Sequence, residues 1–292
     1  MVEYKKSLLI SNILDPLTHD QSELQNVYQQ LSNDLKYESI ETRLIRDKNM
    51  IQFYNQNLGD KVELTYWITG EIQRDGLNLS SVDESNRIKA VAYAKNLMKI
   101  AQQTNCQWFG IASGQIETTF NEGFRAFYHS LLELLEEIEK QHYPMSIILE
   151  PLDQFAHKCN VIGTAETTLK LLEKIPKKYY QNQQLSICFD TAHVALNEDD
   201  FEEAMRKLSP YISRVHFANA ILDKQSKLYG DYHLDLCEEG FLNISSARQI
   251  KGIMDKYLSG QINVAMEIRE KDKDHAWILE KETFEFLNEV LK

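Results

Sequence analysis

The 292-residue chain carries 32 Lys and Arg against 44 Asp and Glu, a formal net charge of −12. With 43% apolar residues, 12 Phe and 14 Tyr but only five Pro and eleven Gly, it has the material for a sizeable core and is not a disordered chain. The acidic balance argues against a polyanion as main partner, because nucleic-acid binding leaves a basic footprint.

Short β-type runs alternate with longer helical patterns along the chain. Residues 7–12 (SLLISN) predict a first strand and about 22–35 a helix; 39–45 (SIETRLI) predict a second strand, with a short helix near 49–57. Residues 62–68 (VELTYWI) form a third, followed by a long helix over about 83–104 whose apolar face holds Ile88, Val91, Ala92, Ala94, Leu97, Met98 and Ala101. A fourth strand at 106–111 (CQWFGI) precedes a helix at 121–141, and a fifth at 146–150 (SIILE) precedes one at 164–174, N-capped by Thr164. The sixth (185–190, LSICFD), seventh (212–217, ISRVHF) and eighth (262–267, INVAME) precede helices at 200–208, 245–258 and 277–291.

Eight strands alternating with eight helices imply parallel βαβ units, and near-continuous apolar strands imply helices on the sheet faces. No Pro/Gly-rich linker, charge run or low-complexity segment divides the chain. A single α/β domain spanning 1–292, a (β/α)8 TIM barrel, fits both count and length. An open doubly wound sheet is the alternative, but GxGxxG and P-loop motifs are absent.

Cys106, Cys159, Cys188 and Cys237 are scattered without a CxxC pair, and read as reduced thiols. The opening MVEYKK leads into a short apolar run rather than a signal peptide, and no stretch approaches the roughly 18–20 apolar residues of a membrane span. A cytoplasmic protein is expected.

Ionisable residues fall where the strands stop. Glu150 closes the fifth, Asp190 the sixth and Glu267 the eighth, and His216 sits at the end of the seventh. In a parallel barrel these ends converge on the catalytic face, and four such groups, mostly oxygen donors, make a divalent-metal site. One strand-end carboxylate alone is usually a capped end or a satisfied ion pair. Four in succession, each ending an apolar run where burial penalises charge, point to function.

Other residues extend this cluster. His193, three residues after Asp190, can reach the same cavity and is read as a hydrogen-bond partner of a substrate oxygen, with metal binding as the alternative. Asp231 and His233, in the connection after the seventh strand, point the same way if extended. They would complete a second metal site, orient the ligands, or belong to an ordered loop.

The segments ILEPLD, CFDTAH, RVHFANA, YGDYH and VAMEIRE, around Glu150, Asp190, His216, Asp231 and Glu267, resemble the xylose isomerase-like barrels. These include sugar and sugar phosphate isomerases and epimerases, inosose dehydratase, and the endonuclease IV type of abasic-site nuclease (AP endonuclease family 2). The resemblance covers the whole chain, with its motifs in the second half. It implies a metal held by Glu150, Asp190, His216 and Glu267, with His193 contacting substrate or a second metal. It also implies Glu150 and Glu267 as the acid/base pair, passing a proton through an enediolate that the metal stabilises. Mn2+ is favoured by the oxygen-rich set, with Mg2+, Co2+ or Zn2+ as alternatives, Zn2+ especially if His193 and His233 join. The implied partner is a small sugar or sugar phosphate, and a homodimer is the family's habit.

Two departures qualify the match. The nuclease needs His ligands from earlier strands; ELTYWITG and FGIASGQ offer none, and Ala112 stands at one such place. Many ketose 3-epimerases carry Arg six residues after the seventh-strand His, where this chain has Leu222. Besides the epimerase reading, an inosose-type dehydratase, the nuclease, and a barrel that binds sugar or metal without turnover remain alternatives.

Among smaller features, Trp67 ends the third strand and is a candidate wall for a sugar. Asn12, Ser113 and Gln115 at strand ends are candidate hydroxyl partners. Lys158, beside His157, and Arg269 are candidates to hold a phosphate or carboxylate. His19, His129, His142 and His275 read as structural or exposed.

Overall fold

Strand register closes the sheet. In the computed structural model, which describes residues 2–292 and leaves Met1 outside them, nine strands form: β1 (Val2–Leu9), β2 (Ser39–Thr42), β3 (Glu63–Trp67), β4 (Trp108–Ile111), β5 (Ser146–Leu149), β6 (Leu185–Asp190), β7 (Ile212–Ile221), β8 (Gly230–Leu234) and β9 (Gly260–Glu267). β1 through β6 pair in sequence, all parallel; β6 pairs with β7, β7 with β9, and β9 with β1, completing the ring. The expected (β/α)8 barrel is the observed fold. β8 alone is antiparallel, a flap laid on the end of β7.

Helix starts are set by side-chain caps. Asp20, Asp47, Asp83, Thr119, Thr164, Asp200 and Asn243 each accept backbone N–H groups at the head of a helix. Apolar faces of these helices close over outward strand residues in one continuous core, Phe217 of β7 meeting Phe286 of the last helix edge-on. No helix of the described residues is long and apolar enough to cross a membrane.

The barrel interior departs from the branched apolar filling usual in this architecture. Alternation along β7 turns Arg214 and His216 inward. Arg214 is fully buried, facing Glu41 of β2, Glu63 and Thr65 of β3 and Ser7 of β1. A charged column therefore runs up the barrel axis to the catalytic face, with Arg214 set against Glu41 and Glu63 at its base.

Three expectations needed revision. The first strand is Val2–Leu9 rather than 7–12, because the charged segment before Ser7 pairs with β9 while Ile10–Ile13 coils into a buried helical turn. Ile88 and Ala92 are exposed; Arg87 is buried in their stead, its guanidinium satisfied by Glu84, Glu133 and Ser130. The long connection after the seventh strand holds β8, and short helices at Thr69–Arg74 and Thr191–Leu196 follow β3 and β6.

Candidate active site

The register that closes the barrel also assembles the cluster. Asp190 lies beside His216 across β6 and β7, and Glu267 ends β9 beside Ala218. Glu150 follows β5, its backbone N–H donating to the Ile111 carbonyl at 2.9 Å. One ligand-type atom from each of Glu150, Asp190, His216 and Glu267 lies within 4.8 Å of all the others.

His216 is the hub. Its Nδ1 is 3.0 Å from Glu267 Oε2 and 3.2 Å from Glu150 Oε1, while Nε2 is 3.0 Å from Glu41 Oε2. Burial opposes ionisation of Glu41, but Arg214 and His216 hold its pKa down at about 2, so it accepts a proton at Nε2 rather than supplying one. Nε2 is thereby the N–H side of the ring, and Nδ1 is aimed at the carboxylates. Trp67 buttresses the pair: Nε1 donates to Glu41 Oε2 at 2.7 Å, and its ring meets the imidazole edge-on at 5.5 Å. Gly110 makes that packing feasible, since a Cβ there would lie 2.2 Å from Trp67 Cε3.

The residues fit a divalent cation. Buried Glu150 Oε1 and Asp190 Oδ2 have no hydrogen-bond partner. Burial raises the Asp190 pKa to about 8; His193 opposes this, while Glu267 and Glu150 reinforce it. Burial also opposes charge on His216, yet Cys188 and Glu41 beside the ring raise its pKa well above the usual value. Three acids crowded in a dry site around one imidazole are relieved by a positive ion. Glu150, Asp190 and Glu267 would supply oxygen and His216 Nδ1 nitrogen.

The cluster opens into a cavity of about 330 Å3 whose walls include Trp67, Lys158, His193, Asp231, His233 and Arg269. These six residues and Asn12 border one space, whereas Ser113 and Gln115, the other candidate hydroxyl partners, do not line it. His193 Nδ1 lies 3.0 Å from the Asp153 backbone N and 3.4 Å from Asp153 Oδ1, while Nε2 lies 3.8 Å from Asp231 Oδ2; burial opposes charge on the ring, but Asp190, Asp153 and Asp231 push its pKa up to about 10. The β8 flap brings His233 Nδ1 to 3.1 Å from Glu267 Oε1, and Asn12 donates to the same oxygen at 3.0 Å. Burial works against charge on Glu267, but His233 and His216 hold its pKa well below the usual range. Glu267 raises the His233 pKa in turn, as does Asp231, both against burial. Among the described residues no second metal-sized group of His, Cys and carboxylates forms around His233.

Some assignments sharpen. Lys158 pairs with Asp231 at 3.1 Å, and Asn12 holds Glu267 rather than standing free. Ser113 is buried, accepting the Ile162 N–H, and Gln115 bridges to Asn160 in a backbone pairing. Sequence reasoning missed Glu41, Asp153, Arg43 and Arg74. The available signal for Glu41 was its inward parity in β2, matched by Arg214 and His216 in β7.

A family model for the xylose isomerase-like TIM barrel matches residues 33–278, and the chain belongs to that family. No curated protein matches it in sequence. Among solved structures, D-psicose 3-epimerase with D-tagatose from Clostridium cellulolyticum H10 aligns over 99% of both chains, with TM-score 0.71 and 15% identity. A D-tagatose 3-epimerase-like protein aligns over 99% of this chain and 100% of its own, with TM-score 0.69 and 20% identity. The IOLI protein with a binding zinc atom aligns over 98% of each, with TM-score 0.64 and 12% identity. At these identities the likeness is one of fold.

Proposed function

We propose that this protein is a divalent-metal-dependent isomerase or epimerase of a small polyhydroxylated carbonyl compound. The carrying observation is the pair Glu150 and Glu267, which reach one cluster from β5 and β9 at the floor of a sugar-sized cavity. Folds shared with ketose 3-epimerases and with a zinc-binding relative support the reading.

A bound cation would supply Lewis acidity to the substrate carbonyl, making the adjacent C–H more acidic. The chain's own residues do the rest. Glu150 and Glu267 approach from strands well apart around the ring; one removes the α-proton and the other returns it to the opposite face or the neighbouring carbon. Glu267, held ionised by His233 and His216 and oriented by Asn12, is fixed in position. His193 Nε2–H faces the cavity to orient a hydroxyl, Trp67 offers an aromatic wall, and the β8 flap sets His233 against Glu267.

The test is incorporation of solvent deuterium at the α-carbon of D-psicose, D-tagatose and L-ribulose with Mn2+-loaded protein. Exchange is expected with at least one ketose and should fall by about 10²-fold or more in Glu150→Gln with metal still bound. Wild-type exchange in that variant would refute the acid/base assignment.

A further inference from the structure

Two arginines on the cavity wall have no acid to neutralise them. Arg43, Arg46, Arg87, Arg206, Arg214 and Arg248 each lie within ion-pair distance of a carboxylate. Arg74, Arg125 and Arg269 do not, among the described residues, although acids outnumber bases by 44 to 32 in this chain; of these three, Arg74 and Arg269 line the cavity above the cluster.

Their acidic neighbours are engaged elsewhere. Glu71, on the same short helix as Arg74, is buried and bound to Arg46. Glu270, next to Arg269, is turned to His275 at 2.6 Å and accepts the Lys271 and Asp272 N–H groups. The other two cations on the wall are spent: Arg43 on Asp15 at 2.5 Å, Lys158 on Asp231 at 3.1 Å. Arg269 is fixed at the rim by its own N–H, which donates to the His233 carbonyl at 2.9 Å.

Placement around the barrel gives these charges a direction. The cluster is supplied by β5, β6, β7 and β9, whereas Arg74 follows β3, on the far side of the ring. Arg269 follows β9, where the neighbouring loops of barrels frequently build a phosphate site. Both side chains are exposed at the cavity mouth, where a guanidinium fork recognises phosphate or carboxylate oxygens in paired hydrogen bonds.

We propose that the substrate carries an anionic group, a phosphate or a carboxylate, away from its reacting carbons, and that Arg74 and Arg269 receive it. This rests on the epimerase reading and refines it: an acidic sugar is the preferred substrate, and a neutral ketose is turned over but held more weakly. The two arginines set specificity, selecting against a neutral ketose that leaves both forks unsatisfied.

The test titrates D-ribulose, D-ribulose 5-phosphate and D-fructuronate calorimetrically into the Mn2+-loaded protein. The wild type, Arg74→Gln, Arg269→Gln and Arg269→Lys are compared, with α-carbon deuterium exchange read by NMR on the same samples. One anionic ligand should bind about tenfold to a hundredfold more tightly than D-ribulose, and each Gln variant should collapse that ratio by about tenfold. Arg269→Lys should restore part of it, and added salt should lower it. Preference for the phosphate or for the uronate identifies which anion is used. Equal affinities for all three, no binding of either anion, or a ratio unchanged in both Gln variants would overturn the proposal. Exchange without anion preference would defeat the anion site alone, and anion preference without exchange would defeat the epimerase reading alone.

Discussion

Glu41→Gln offers a demanding test of how the centre is built. Glu41 never faces the metal position; it stands behind His216, accepting from Nε2 at 3.0 Å and from Trp67 Nε1 at 2.7 Å, with its other oxygen on Arg214. Gln keeps the shape but removes the charge. Its amide NH2 must then face either the Arg214 guanidinium or the two N–H groups of His216 and Trp67, and every one of these is a donor. Two costs follow. Arg214, fully buried, keeps Glu63 at 3.3 Å as its one carboxylate beside the Thr65 and Ser7 hydroxyls, and breaking such a buried pair costs about 3–5 kcal/mol, toward the lower end because Glu63 remains. His216 loses the acceptor that fixes Nε2–H and aims Nδ1 at the cluster, an effect of about 10–100-fold on metal affinity. Thermal melting reports the first cost and calorimetric Mn2+ titration the second. In a His216→Ala background the effect of Glu41→Gln on metal affinity should vanish, because Glu41 acts through that ring. Metal binding within twofold of wild type in Glu41→Gln, or an undiminished effect without His216, would refute the reasoning.

Gly110→Ala should destabilise the fold by about 1–3 kcal/mol and displace Trp67, since the new methyl would sit 2.2 Å from the indole; tryptophan fluorescence and melting check this, and wild-type values in both would contradict it. Asp153 supplies a pH dependence. Burial opposes its ionisation, but His193 and the His157 and Lys158 N–H groups, the latter two at 2.6 Å, hold its pKa down at about 2. Its contribution is therefore complete above about pH 4 and is lost as pH falls toward 2. Asp153→Asn should destabilise the protein at neutral pH and flatten that part of the acid-unfolding profile, and an unchanged profile would count against it.

The sequence made the barrel legible because each apolar strand run was followed by a helical pattern with its own cap. The cluster was legible because charge at the end of an apolar run has few structural uses. Glu41 was not, since SIET reads as ordinary alternation, and its burial is balanced by Arg214, which lies far along the chain. β8 was hidden for a similar reason: Gly230–Leu234 is a strand only because β7 continues past the barrel rim to Ile221 and offers it a ladder. Ile88 misled because helical spacing alone does not show that Arg87, one position away, can be buried once Glu84, Glu133 and Ser130 surround its guanidinium.

The central claim is that four strand-end side chains hold a divalent ion. Its most direct test is elemental analysis of metal per chain, on protein prepared without chelator and after Mn2+ or Zn2+ is added back, beside Asp190→Ala. One metal per chain, lost in Asp190→Ala while the fold melts cooperatively, is the predicted result. No metal under any of these conditions, or full occupancy retained without Asp190, would contradict it.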